Sequence, residues 1–196
     1  MQLEEMTVQG EAYGIVSVEG GTVTLRSGKL TDWFFTPAGK TRSANVPRLV
    51  REVREPVFSL SARVSVDFAS AYDAGAIFIE ADDENWAKIA FEYSAERKPT
   101  IVSVVTRSTS DDSDGPNFSG QAVYLRVYCD GESIALHFSE DGKLWKFLRW
   151  FTIPGLEKRP VRVGLGAQSP TGKGVLATFS DIRLNFDVIS NLRNGE

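Results

Sequence analysis

A period-two alternation of apolar and polar residues runs through most of this chain, and helical periodicity is nearly missing from it. In Phe58-Ser-Leu-Ser-Ala-Arg-Val-Ser-Val-Asp-Phe68 every even position is apolar and every odd one polar, the pattern of a strand with one face buried and one toward water. Tyr124–Cys129 and Ile134–Phe138 repeat it around Asp130-Gly131, a pair that tolerates the positive φ of a hairpin turn. A second Asp-Gly, Asp141-Gly142, leads on to Trp145–Ile153, which makes a three-strand meander. Further strands are readable at Gly14–Val18, Thr22–Arg26, Gly75–Glu80, Trp86–Tyr93, Thr100–Arg107, Val161–Gln168 and Val175–Asn185. So many strands exceed what one open sheet holds before it curls or splits, and two packed antiparallel sheets are expected. Val46–Glu55 is the one stretch with the spacing of a helical turn or two, ended by Pro56. Thr109–Gln121, rich in Ser, Asp and Gly, reads as a polar surface loop. No linker divides the chain, so one domain is expected over 8–187, with frayed ends at 1–7 and 188–196.

Composition narrows the partners. Among 196 residues, 22 Lys and Arg against 26 Asp and Glu give a formal charge of -4, the wrong sign for a protein that binds by neutralising phosphates. Nucleic acid is therefore not an expected partner. No apolar run approaches the roughly 18 residues that span a bilayer, and Met1–Gly10 lacks the basic and apolar regions of a secretory signal. The expectation is a cytoplasmic protein that does not engage a membrane. One cysteine, Cys129, excludes an internal disulfide, and its place on an apolar strand face reads as a buried thiol. The lone His137 cannot supply a zinc ligand set, and no cofactor or metal is implied. Ser110, Asp111, Asp112, Ser113 and Asp114 offer oxygen ligands of the kind calcium takes, but without EF-hand spacing they read as a solvated loop.

The strand Trp86-Ala-Lys-Ile-Ala-Phe-Glu-Tyr93 says most about function. Ala87, Ile89, Phe91 and Tyr93 share one face, and Trp86, Lys88, Ala90 and Glu92 the other. An aromatic ring beside fixed charges is what a sugar site needs, although a solvated sheet face has the same composition. Lys88 and Glu92 lie about 13 Å apart along the strand, too far to pair directly, so each is expected to meet charges on neighbouring strands, with Arg107, Arg126 and Asp73 as candidates. Arg126, between Tyr124 and Tyr128, suits a carboxylate on an acidic sugar or on a partner residue. Arg149 shares its face with Phe147 and Phe151, on a strand that reads as apolar on both sides and hence central. There it needs an acid, Glu92 or Asp73. The turn at Ala81–Asn85 brings Asp73 to the level of Glu92, and two carboxylates at a suitable gap are what glycoside hydrolysis requires. The Glu-x-Asp-x-Glu arrangement of jelly-roll glucanases is missing.

Several pieces, taken in order, resemble one family: Asp32-Trp33-Phe34, Asp73-Ala74-Gly75, Trp86-Ala-Lys88 leading to Glu92, Val104-Val-Thr106 followed by Ser110-Asp111, Ser139 to Trp145, Arg149, and Gly164-Leu-Gly-Ala-Gln-Ser-Pro170 before Val175–Phe179. Together they are similar to the YesU-like proteins, a family of concanavalin-A-like jelly rolls that includes a yeast regulator of enolase. The resemblance spans roughly residues 28–185. It implies an all-β, two-sheet antiparallel jelly-roll sandwich of the lectin/glucanase type, whose concave sheet commonly binds sugars. The family usually places an aromatic after the Ser-Asp pair, where this chain has Asp112-Ser113. The function expected is carbohydrate binding by a groove on the concave sheet, with Trp86, Lys88, Glu92, Arg126 and Arg149, Asp73 in support and Trp33 at the rim. A glycoside-acting enzyme using Glu92 and Asp73 is the alternative, and a protein-interaction or regulatory module with a protein partner is a third.

Overall fold

The computed structural model describes residues 5–196. Its strands are β1 (Thr7–Gln9), β2 (Gly14–Glu19), β3 (Thr22–Ser27), β4 (Trp33–Phe35), β5 (Arg42–Ala44), β6 (Arg48–Val53), β7 (Phe58–Val66), β8 (Ala74–Asp82), β9 (Asn85–Tyr93), β10 (Pro99–Arg107), β11 (Thr109–Asn117), β12 (Ala122–Cys129), β13 (Ile134–Ser139), β14 (Lys146–Phe151), β15 (Val161–Gln168) and β16 (Leu176–Asn185). They form two seven-stranded sheets, ordered β1-β6-β15-β8-β9-β10-β11 and β14-β13-β12-β7-β16-β3-β2, and a separate β4-β5 ladder. All pairings are antiparallel. The expected all-β sandwich of the jelly-roll type is what the chain forms.

The alternation explains the layers. Leu60, Ala62 and Val64 of β7 meet Ile77 and Ile79 of β8 and Ile89 and Phe91 of β9 in one core between the sheets. At Gly75 the sheets approach so closely that a Cβ would lie 2.9 Å from the Ala177 Cβ and 3.0 Å from a Val64 methyl. A second, smaller core lies on the outer face of the first sheet. There the β4-β5 hairpin folds over it, and Trp33 and Phe35 pack on Val50, Phe78, Trp86 and Val104. The expected meander is present, with Gly131 and Gly142 at φ 95° and 72° in its two turns. Cys129 is buried in the main core.

Three expectations are corrected. Val46–Glu55 holds no helical turn; it contains β6, paired on both sides by β1 and β15. Leu49 and Val53 point into the main core and Val50 into the small one, so both faces are covered and the apolar spacing imitates a helix. Thr109–Asn117 is a strand, not a loop: β11 pairs with β10 at the sheet edge, where charged side chains discourage further strand addition. A bulge between Thr100 and Val102 shifts its register. Nearby, a Cβ on Gly115 would come 2.8 Å from the Ile101 carbonyl oxygen, so the bulge takes the residue without one. Nor are the termini frayed where the structure describes them. Glu5 pairs with Arg51 at 2.5 Å, Thr7 opens β1, and Met6 is in the core; residues 1–4 lie outside the described residues. The segment 188–196 docks on the second sheet: the Ile189 amide donates to the Tyr128 hydroxyl, His137 Nε2 lies 2.8 Å from the Leu192 carbonyl oxygen, and Arg126 donates to the Gly195 carbonyl.

Candidate functional site

Beside the β4-β5 hairpin the outer face of the first sheet is left open as a pocket of about 510 Å³. This is within the usual range of small-molecule clefts, roughly 300–1,000 Å³. Its floor comes from β9 and β10, where Lys88 lies opposite Val104 and Glu92 opposite Thr100. Asp112 and Asp114, projecting from β11 on the same face, form one wall. Asp32 and Phe34 come from the start of the hairpin, Tyr72 and Thr171 from the loops opposite, and Gln168 from the end of β15.

Glu92 is only 8% exposed, and its carboxyl accepts no hydrogen bond from the described residues. Burial pushes its pKa up to about 8, against the pull of Lys88 and with the added repulsion of Asp114, Asp32 and Asp112. Burial likewise lowers the pKa of Lys88, with Asp32, Glu92 and Asp112 opposing it. The Lys88 ammonium donates to the Trp33 carbonyl at 2.7 Å and to Gln168 Oε1 at 2.6 Å, so it holds the hairpin and the β15 end together while facing the pocket. Asp32 is raised by burial too. Tyr72 stands at the rim, 41% exposed, with its backbone held at φ 70°, a left-handed conformation unusual for a bulky side chain.

Of the seven residues expected at the site, Lys88 and Glu92 line this pocket. The other five do not. Trp86, expected on an open surface, is fully buried, stacked on Trp33 at 4.4 Å with Phe35 edge-on at 5.6 Å. The hairpin occupies the space a sugar ring would need. Trp33 is a packing residue under Arg48, whose guanidinium lies 4.6 Å above its ring, and not a rim residue. Asp73 is at the expected level, since Ala74 pairs with Glu92, but its carboxylate is wholly engaged. One oxygen accepts the Ala69 and Ser70 amides, the other the Ser169 hydroxyl at 2.6 Å. It ties the loop before β8 to the loop after β15 and is fully buried.

Arg126 belongs to the other sheet, paired with Ser61 and His137, and has no carboxylate partner among the described residues. It stacks 4.1 Å from the Trp145 ring, and burial lowers its pKa to about 10. Arg149 lies on β14, an edge strand and not a central one. Its partner is Asp111 at 2.7 Å, not Glu92 or Asp73. Arg107, another expected partner, donates instead to the Thr152 carbonyl.

Asp32, Phe34, Tyr72 and Gln168 are site residues that strand alternation alone does not single out, and Asp112 and Asp114 read there only as part of a solvated loop. For Asp112 and Asp114 a signal exists: alternation continued across Thr109–Asn117 puts both on one side of a strand, with Asp111 on the other. Among the described residues no group of three or more His, Cys, Asp or Glu is placed to hold a metal ion, and no helix is long and apolar enough to cross a membrane.

Known structures share this fold. A functionally unknown protein from Saccharomyces cerevisiae superposes with TM-score 0.86 at 26% identity, over 96% of this chain and 100% of that one. A xylan β-1,4-xylosidase from Bacillus halodurans matches with TM-score 0.66 at 14% identity, over 91% of this chain but only 38% of its own. A metal-free Griffonia simplicifolia lectin matches with TM-score 0.58 at 12% identity, over 94% of both chains. The last two likenesses establish the lectin and glycosidase-associated sandwich fold and nothing finer. No curated protein sequence matches the chain. The model of the family described as "Protein of unknown function (DUF1349)" matches residues 13–186, and the chain belongs to that family.

Proposed function

We propose that this protein binds a saccharide in the pocket over β9, β10 and β11. The observation that carries the reading is the Glu92 carboxyl, more than nine-tenths buried and without a partner among the described residues, opening into a cleft flanked by Phe34 and Tyr72. The hydrogen bonds of this carboxyl are thus left to whatever enters the pocket, solvent or ligand. Sugars combine hydroxyls for that purpose with apolar ring faces that pack on aromatic side chains. The strained Tyr72 backbone adds support, because strain persists where the side chain's position matters more than local stability. Two of the pieces that resemble YesU-like proteins, Asp32-Trp33-Phe34 and Lys88 to Glu92, line or support this same pocket, and the narrower kinship is part of the proposal.

The test is isothermal titration of neutral and charged oligosaccharides into the wild type, Phe34→Ala and Tyr72→Gly. A saccharide should bind the wild type, and each variant should weaken it about tenfold or more, roughly 1.4 kcal/mol. Tyr72→Gly should keep its stability within about 1 kcal/mol, since relief of left-handed strain offsets the flexibility gained by the unfolded chain. A full panel with no binding would sink the reading.

Glu92 also favours a second reading, a glycoside-acting enzyme. A carboxyl that keeps its proton near neutral pH is in the form a general acid needs. The expected partner Asp73 is excluded by its three donors, so the second carboxylate would be Asp112 or Asp114. Release of reducing ends from a bound oligosaccharide, abolished in Glu92→Gln, would establish catalysis; binding without turnover would leave only recognition.

A further inference from the structure

The charge of the pocket is one-sided. Asp32, Asp112 and Asp114 line it together with Glu92, which keeps its proton near neutral pH, against a single cation among the described residues, Lys88, whose ammonium is already committed to the Trp33 carbonyl and Gln168 Oε1. A uronic or sulfated sugar would add negative charge to a place already crowded with it. A neutral sugar would supply hydroxyl donors but would leave the excess charge unanswered.

We propose that the ligand is an amine-bearing saccharide, with its ammonium group seated between Glu92 and the Asp112–Asp114 wall and its ring against Phe34. The inference rests on the saccharide-binding reading and narrows it to one substrate class. Two separate observations support it. One is the imbalance of three aspartates, Asp32, Asp112 and Asp114, over one engaged lysine. The other is Glu92 itself, nearly buried, aimed into the pocket and unpaired among the described residues. An ammonium offers three donors at one atom and a full positive charge, which answers both. The groups facing Glu92 are Lys88 on its own strand, Asp112 and Asp114 on β11, and Asp32 before β4. Its raised pKa reflects burial together with the surplus of acids among them, and an incoming ammonium would reverse that pressure.

The test compares a glucosamine tetramer with its N-acetylated counterpart, whose size and linkage match but whose charge is gone, by calorimetry at about pH 6, where amines are protonated. The expected result is at least about tenfold tighter binding of the free amine, a preference that shrinks in about 0.5 M salt as screening sets in. Asp112→Asn combined with Asp114→Asn, both exposed and away from the core, should remove the preference, lowering affinity for the free amine at least about tenfold more than affinity for the N-acetylated form. Glu92→Gln should do the same. Equal affinity for the two tetramers, or tighter binding of the N-acetylated one, would overturn the inference while leaving saccharide binding intact. Spermidine binding as tightly as the tetramer would overturn it too, because charge alone would then suffice. If no saccharide of any kind binds, the underlying reading falls with it.

Discussion

Trp86 and Glu92 project from the same face of one strand, yet burial has opposite consequences for them. Trp86 is covered by Trp33 and Phe35 and behaves as a core residue. Trp86→Ala should therefore destabilise the fold by about 3–5 kcal/mol, read by chemical denaturation, instead of removing a ligand contact from an intact fold. Glu92 is covered by no such partner and opens into the pocket. Its folded pKa of about 8 stands above the ordinary 4.5, so as pH rises the unfolded chain gives up this proton first. Folded protein then holds more protons than unfolded, and stability falls with rising pH across that window. Wild type should lose on the order of a few kcal/mol between about pH 5 and pH 9 relative to Glu92→Gln, since a tenfold change in proton affinity corresponds to about 1.4 kcal/mol. Denaturation of both proteins across that range checks it, and parallel curves would show that Glu92 ionises normally. At this scale the sequence is half legible. Alternation puts Lys88 and Glu92 on the right face, but it does not say what lies above a face, so it leaves Trp86 and Trp33 open to solvent.

Elements that cover the sheets are the hardest to foresee, because their contacts are distant in sequence. The β4-β5 hairpin is held by the Lys88 ammonium and by the Phe35 amide donating to Ser110 Oγ, neither visible in a local pattern. Residues 188–196 look like an exposed tail, being polar and without periodicity, but they cap the only histidine of the chain. Burial there lowers the His137 pKa to about 4, opposing the effect of its bond to the Leu192 carbonyl, with nearby Arg126 adding to the depression. Removing residues 188–196 should return that pKa toward about 6.5 and lower stability at neutral pH by about 1–3 kcal/mol as the bonds to Tyr128, His137 and Arg126 are lost. A wild-type protein whose histidine resists protonation must lose stability as pH falls from about 6.5 toward 4, because the unfolded chain takes the proton first. The truncated chain should lack that component. Proton NMR titration of the single imidazole gives the answer, and an unchanged midpoint would mean that the tail does not set its environment.

For the molecule as a whole, two seven-stranded sheets packed through one apolar core follow from the alternation and the turn residues, which is why the sandwich and its meander are readable. Strands β6 and β11 are not. The first is covered on both faces, which erases the period of two, and the second is so polar that only its backbone pairing with β10 reveals it. That polar edge strand turns a plain sandwich face into a walled, acidic pocket, while the net charge of -4 gives no hint of how the acids are concentrated. Whether that pocket is where a ligand sits is best decided by backbone amide NMR, titrating oligosaccharides into labelled protein. Shifts confined to β9, β10, β11, the Asp32–Phe34 segment, the Tyr72 loop and the Gln168–Thr171 segment at the end of β15 are expected. Saturable shifts clustered on the opposite sheet, or none at all, would contradict the assignment.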